Sequence, residues 1–424
     1  MEQRELEDLY IRMKTLVVFR SLLDNPVVAD LVTTLGFASQ CVEGTQLDLA
    51  ESYARFVSGL FARGFSGLAP YVREVVLDDE NVFLRRVGAK EKVSALLGEA
   101  TASELETLEK LACLTPEDLT ATLPESVRAG LAIFDAQHLE LVATYRERLS
   151  HIHQFGYGMY ARYHVFRMDD SGHIVAVRHP DPINLGELVD YDREKKIILD
   201  NTRALLHGKP AANILLTGDA GTGKSSTVKA VANELADQGL RILEVHKEQL
   251  TMIPALLDEL TKNPLCFIIF IDDLSFARDD DNFAALKAIL EGSVSAKSSN
   301  VVIYATSNRR HLVKETFSER EQEDDVHLND TMQEIVSLSD RFGIHLTFSK
   351  PSKEVYLDIV HKLAKAAGIR MDQKELDQAA ERFALRKGGR SARGARQFVD
   401  GLASAEHGGE AYEESMNEYK HLTT

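Results

Sequence analysis

Nine residues, Gly218 to Ser226 (GDAGTGKSS), constrain this chain more than any other stretch, because they leave the backbone few ways to run. Gly218, Gly221 and Gly223 permit positive φ and let N–H groups point inward with no Cβ in the way. The apolar run from Asn213 to Thr217 reads as a strand. From Ser225 onward the chain reads as a helix, with Val228, Val231 and Leu235 on one face and Gly239 as a stop. Strand, glycine-rich turn and helix are the setting that a phosphate-binding loop requires. An anion held there meets unpaired amides and the positive end of the helix dipole.

This pattern assigns phosphate binding to Gly218, Asp219, Ala220, Gly221, Thr222, Gly223, Lys224, Ser225 and Ser226. Lys224 is expected to reach the β- and γ-phosphates as a point charge, and the Ser225 hydroxyl to ligate Mg²⁺. The implied activity is that of an ATPase or GTPase. The loop alone does not choose between the two nucleotides, although the chain carries no Asn-Lys-x-Asp guanine motif.

Two further apolar runs end in polar residues. Phe267 to Ile271 leads into Asp272 and Asp273, and Val301 to Ala305 leads into Thr306, Ser307 and Asn308. Ligands of open α/β sheets sit at the carboxyl ends of the strands, so these groups are expected beside the phosphates. Asp272 is the expected Mg²⁺ partner, Asp273 the residue that polarises the attacking water, and Asn308 the group that orients that water and senses the γ-phosphate.

The surrounding grammar is that of a parallel sheet covered on both faces. The runs beginning at Asn213, Arg241, Cys266, Val301 and Ile344 are short and apolar, with helix-compatible stretches between most of them. Beyond Pro351 the strands stop, and Tyr356, Ile359, Val360 and Leu363 form one helical stripe. Before the sheet, Leu6 to about Ser150 reads as helical, with breaks at Asn25-Pro26, Thr115-Pro116 and Leu123-Pro124. The β-rich arms around Asp169-Asp170-Ser171-Gly172 read as a hairpin, and His179-Pro180-Asp181-Pro182 as an extended linker. The expected division is a helical domain over 1–155, a hairpin and linker over 156–182, a nucleotide-binding core over 183–350, a helical lid over 351–405 and an acidic tail over 406–424.

Composition narrows the partners. A formal charge of −17 disfavours nucleic acid and anionic membrane surfaces as partners. Three isolated cysteines, without CxxC or Cys/His spacing, suggest neither a disulfide framework nor a zinc site. No signal-like start and no apolar run near about 18 residues is present, so a cytoplasmic location without a membrane span is expected.

Taken in order, GDAGTGKSS, FIIFIDD, YATSN, the segment Leu338 to Gly343 (LSDRFG) and Ser391-Ala392-Arg393 resemble the AAA+ ATPases over roughly residues 183 to 402. More narrowly, GDxGTGKSS, DDLSF, ATSNRRHL and ARQFVD resemble a bacterial family of predicted AAA+ ATPases whose cellular role is unassigned. The resemblance implies ATP and Mg²⁺ as ligands and assembly into a homo-oligomeric ring or open ring. It implies that Arg341 is an arginine finger serving a neighbouring subunit's ATP, and that Arg393 is a second sensor in the lid. Val189 and Tyr191 fall where family members bracket adenine, although Asp190 stands where glycine is common.

Two departures shape the expected function. Asp273 stands where most AAA+ enzymes carry Glu, and its carboxylate is shorter by one bond, about 1.5 Å, which points to slow hydrolysis. The stretch from His246 to Ile253 lacks the aromatic-hydrophobic-glycine loop by which threading machines grip polypeptide. The expectation is a slow, partner-stimulated ATPase that remodels or loads a protein recognised by the helical N-terminal domain. The alternatives are a nucleotide-gated adaptor with little hydrolysis and a helicase-loader-like factor acting at DNA.

Overall fold

The computed structural model describes residues 1–274, 281–291, 299–308 and 341–407. The chain divides into two units: Met1–Tyr163 with Lys262–Leu265, and the remainder.

The first unit is helical. Among its helices are α1 (Gln3–Lys14), α2 (Pro26–Ala38), α3 (Gln46–Ala62), α4 (Leu68–Leu77) and α5 (Ala95–Ala112). Their starts are written in the sequence. The Asn25 side chain accepts from the Val27 and Val28 amides with Pro26 in the first turn of α2, and Thr45 and Asp48 form a reciprocal capping box on α3. The breaks at Thr115-Pro116 and Pro124 likewise begin short helices. Tyr53, Phe56 and Phe134 meet in the core, with the two phenylalanine rings edge to face at 5.4 Å.

The second unit is built on a seven-stranded sheet of order β2-β1-β4-β5-β6-β3-β7. The strands are β1 (Val165–Met168), β2 (Ile174–Ala176), β3 (Ile214–Gly218), β4 (Leu240–Glu244), β5 (Cys266–Ile271), β6 (Val301–Ser307) and β7 (Ile344–Phe348). Among the described residues only β1 and β2 pair antiparallel; every other pair is parallel. Strands β3 and β6 are buried at every position, as a sheet covered on both faces requires. On one face α6 (Asp192–Leu206) and α7 (Lys224–Leu235) pack Ile198, Leu205, Val228, Val231 and Leu235 against Ile214, Leu216, Ile268, Phe270 and Tyr304. The order agrees with the AAA+ fold expected from the motifs: β3 lies inside the sheet, and one strand, β6, separates it from the acid strand β5.

The lid is α8 (Lys353–Ala366), α9 (Gln373–Arg386) and α10 (Ala392–His407). The stripe of Tyr356, Ile359 and Val360 is its core, with Leu363 partly buried beside it.

Two boundaries differ from expectation. The first unit runs to Tyr163 rather than 155. The hairpin is no free linker, since β1 joins the sheet edge through Val165 opposite Ile242 and Phe166 opposite Leu243. Phe166 and Met168 are apolar and buried in this arrangement, which favours it over an exposed linker. The tail from residue 408 lies outside the described residues, while Glu406 and His407 belong to α10.

Candidate functional site

The loop leaves β3 at Gly218, a residue that no other could replace. It adopts φ 139°, and a Cβ there would stand 2.0 Å from the Phe348 carbonyl oxygen of β7. Gly221 (φ 78°) and Gly223 (φ 96°) continue the turn in the left-handed region. The Thr222 hydroxyl ties the loop by donating to the Asp219 carbonyl at 2.8 Å. Helix α7 then starts at Lys224 with no side chain capping it, so its first amides remain for a ligand.

Lys224 is 5% exposed, and its Nζ donates to the carbonyls of Gly218 (2.8 Å) and Asp219 (2.9 Å) and to Asn308 Oδ1 (3.0 Å). Burial lowers its pKa, an effect opposed by Asp219, Asp272 and Asp273.

Sheet order decides what meets the loop. Because β6 lies between β3 and β5, the ends of β5 and β6 converge on the start of α7. The Ser225 hydroxyl donates to Asp272 Oδ1 at 2.6 Å. Thr306 of β6 donates to the same oxygen at 2.5 Å, and its Oγ1 accepts from the Asp273 amide at 3.0 Å. Asp273 takes a left-handed backbone, φ 52°, and is exposed. The Asn308 Nδ2 donates to Asp273 Oδ1 at 2.6 Å. Lys224, Ser225, Asp272, Asp273 and Asn308 therefore form one cluster, as their positions in sequence suggested.

The lid reaches the same loop. Ser391 Oγ accepts from the Gly394 amide at 3.0 Å and so caps α10, while the Arg393 amide donates to the Gly221 carbonyl at 3.3 Å. Arg393 thus lies against the loop, and its charge is felt at Lys224. Arg390 is turned away into a two-pronged pair with Glu381, at 2.8 and 2.7 Å.

Arg341 stands elsewhere. It lies three residues before β7, whose first residue Ile344 pairs with Ile214 at the start of β3. The loop follows the other end of β3, four residues or about 13 Å further along at about 3.3 Å per residue. Its neighbours in the LSDRFG motif, Leu338 to Asp340, lie outside the described residues, as do Ser275-Phe276 and Arg309 to Leu312 of the other motifs.

Val189 packs against the lid core, whereas the Tyr191 ring sits 4.6 Å from Phe348 and its hydroxyl donates to the Ser349 carbonyl. Burial and the nearby carboxylates of Asp190, Glu194 and Asp219 push the Tyr191 phenol up to about 12. Asp190 and Tyr191 both have positive φ, 76° and 60°. The glycine common at position 190 has its reason here, and Asp keeps the conformation because its short polar side chain tolerates it.

Cys266 opens β5 with its thiol pushed up to about 11 by burial, in keeping with a packing role. Thr306 received no separate role from the sequence, which grouped it with Ser307 and Asn308 as the polar end of an apolar run expected beside the phosphates. Phe348 and Ser349 were not visible as partners of Tyr191, since that meeting depends on β7 lying beside β3.

No curated protein matches the chain. Among solved structures, it is similar to the RuvB Holliday junction branch migration motor of Thermotoga maritima, with 16% identity over 52% of this chain and 63% of that one, and a TM-score of 0.34. The match thus spans less than two thirds of RuvB. It is similar to the FIGL-1 AAA domain in complex with ADP, with 18% identity, 52% and 73% coverage and a TM-score of 0.36. The HORMA:CdnC:Trip13 complex of E. coli MS115-1 gives 16% identity, 52% and 92% coverage and a TM-score of 0.32. Such values carry no argument about what this chain acts on. The family model described as "Protein of unknown function (DUF815)" matches residues 161–406, well over half of the 424 positions, and the chain belongs to that family.

Proposed function

We infer that this chain is an oligomeric, Mg²⁺-dependent ATPase that couples slow, partner-stimulated hydrolysis to remodelling or loading of another protein. The meeting of Ser225 Oγ and Asp272 Oδ1 at 2.6 Å beside an uncapped helix N-terminus carries this reading. A hydroxyl and a carboxylate are the hard oxygen donors Mg²⁺ prefers, so these two residues fit as its holders. Bound there with a nucleotide, Mg²⁺ supplies neutralisation of phosphate charge.

The chain's own residues supply the rest. Loop amides and Lys224 receive the phosphates, and Lys224 exchanges neutral carbonyl and amide acceptors for anionic phosphate oxygens. Asp273 is the candidate base for water, with Asn308 beside it as orienting group. Arg341, remote from its own loop, suits a role in a neighbouring subunit's site, and Arg393 suits a sensor that couples the lid to the loop. Val189 and Tyr191 are the proposed adenine contacts. The helical N-terminal unit is the proposed partner-binding element.

A nucleotide-gated adaptor is the second reading, favoured by the short Asp273 carboxylate already engaged by Asn308. Single-turnover hydrolysis of ATP by the full chain with Mg²⁺, in the presence and absence of lysate, separates the two. Turnover that lysate raises supports the ATPase. Nucleotide binding without turnover under either condition selects the adaptor, and absence of nucleotide binding overturns both.

A further inference from the structure

We propose that Thr306 is a positioning residue for both carboxylates of the site, acting through its hydroxyl rather than its bulk. The proposal rests on the nucleotide-binding reading above.

Thr306 is 1% exposed, near the end of β6. It holds three successive residues of the neighbouring chain segment. Its Oγ1 donates to Asp272 Oδ1 at 2.5 Å and accepts from the Asp273 amide at 3.0 Å, while its carbonyl accepts from the Leu274 amide at 2.7 Å. One hydroxyl proton and one lone pair are therefore both used, and in opposite directions.

Each bond has a consequence. The bond to Asp272 joins those from Ser225 and from the Asp273 amide (3.2 Å) on the same oxygen, Oδ1. Three donors on one oxygen fix the carboxylate plane and leave Oδ2 without a hydrogen bond among the described residues. Oδ2 would then be the oxygen left to hold a metal or its water. The bond from the Asp273 amide compensates a backbone that Asp adopts only at a cost, φ 52°, and this backbone aims the carboxylate at Asn308. Outer-shell partners of this kind typically carry about a 10- to 100-fold effect on metal affinity or activity.

A buried threonine on a strand could instead merely fill space, and two substitutions separate the roles. Thr306→Val keeps the branched shape and deletes the hydroxyl; Thr306→Ser keeps the hydroxyl and deletes a methyl. The measurements are ATP affinity as a function of Mg²⁺ concentration, kcat, and melting temperature in chelator without nucleotide. A positioning role predicts that Thr306→Val melts no lower than Thr306→Ser yet loses about 10- to 100-fold in the Mg²⁺-dependent part of ATP affinity or in kcat, with Thr306→Ser close to wild type. Thr306→Val indistinguishable from wild type, or Thr306→Ser the weaker of the two in function, overturns the proposal while leaving the ATPase reading intact. Failure of the wild-type chain to bind ATP at all overturns that reading and the proposal together.

Discussion

Asn308 bridges Asp273 and Lys224: its Nδ2 donates to Asp273 Oδ1 at 2.6 Å while its Oδ1 accepts from Lys224 Nζ at 3.0 Å. The candidate base and the proposed phosphate-binding cation are thus linked through one amide, so a group that draws Lys224 away also disturbs the hold on Asp273. Asn is suited to this place because one planar side chain offers both a donor and an acceptor.

Replacing Asp273 by Asn removes the charge while keeping a side chain that tolerates the left-handed backbone at φ 52°. ATP binding and melting temperature should stay near wild type, and the single-turnover rate should fall by about 10² to 10⁴. An unchanged rate would remove Asp273 from the chemistry.

The position of Arg341, at the end of the sheet away from its own loop, makes a mixing experiment decisive. Arg341→Ala should bind ATP but lose about 10³- to 10⁵-fold in turnover, and Lys224→Ala should lose nucleotide binding. Mixed subunits should recover part of the activity, since an intact finger then faces an intact loop. Two inactive variants that stay inactive when mixed, although they co-assemble, would argue against action between subunits.

The loop glycines should differ in what alanine costs. Gly218→Ala drives a Cβ to 2.0 Å from the Phe348 carbonyl at φ 139°, so loss of the sheet edge or insolubility is expected. Gly223→Ala meets nothing within 4 Å and has only its φ of 96° to overcome, about 1–2 kcal/mol. Chemical denaturation of the two variants orders them, and equal stability would contradict the packing of β3 on β7.

The lid carries a pH-dependent contact. Hydrogen bonding to Arg390 holds the Glu381 pKa below its usual 4.5. A depressed carboxylate pKa means the folded state binds the proton less readily than the unfolded one. The stabilisation is therefore fully present above about 4.5 and lost as pH falls through the lowered folded value. Glu381→Gln should reduce stability at neutral pH by about 0.5–1 kcal/mol, as expected for an ion pair near the surface. The difference from wild type should vanish in strongly acidic solution, as urea midpoints across the pH range would reveal.

Local features of this chain were legible in one dimension. Glycine spacing around Lys224, the breaks at Asn25-Pro26 and Thr115-Pro116, the apolar runs of β3 to β7 and the stripe through Tyr356 depend only on neighbours a few residues away, and local spacing records such neighbours directly. What tertiary structure alone decided were the meetings between distant segments. Thr306 clasps Asp272 and Asp273, the Arg393 amide rests on Gly221, the Tyr191 ring packs at a tilt against Phe348, the hairpin joins β4 instead of standing apart, and Arg341 is removed from its own loop. Each of these follows from the order in which strands lie side by side. That order is set by how whole faces bury one another, which no single stretch of residues encodes.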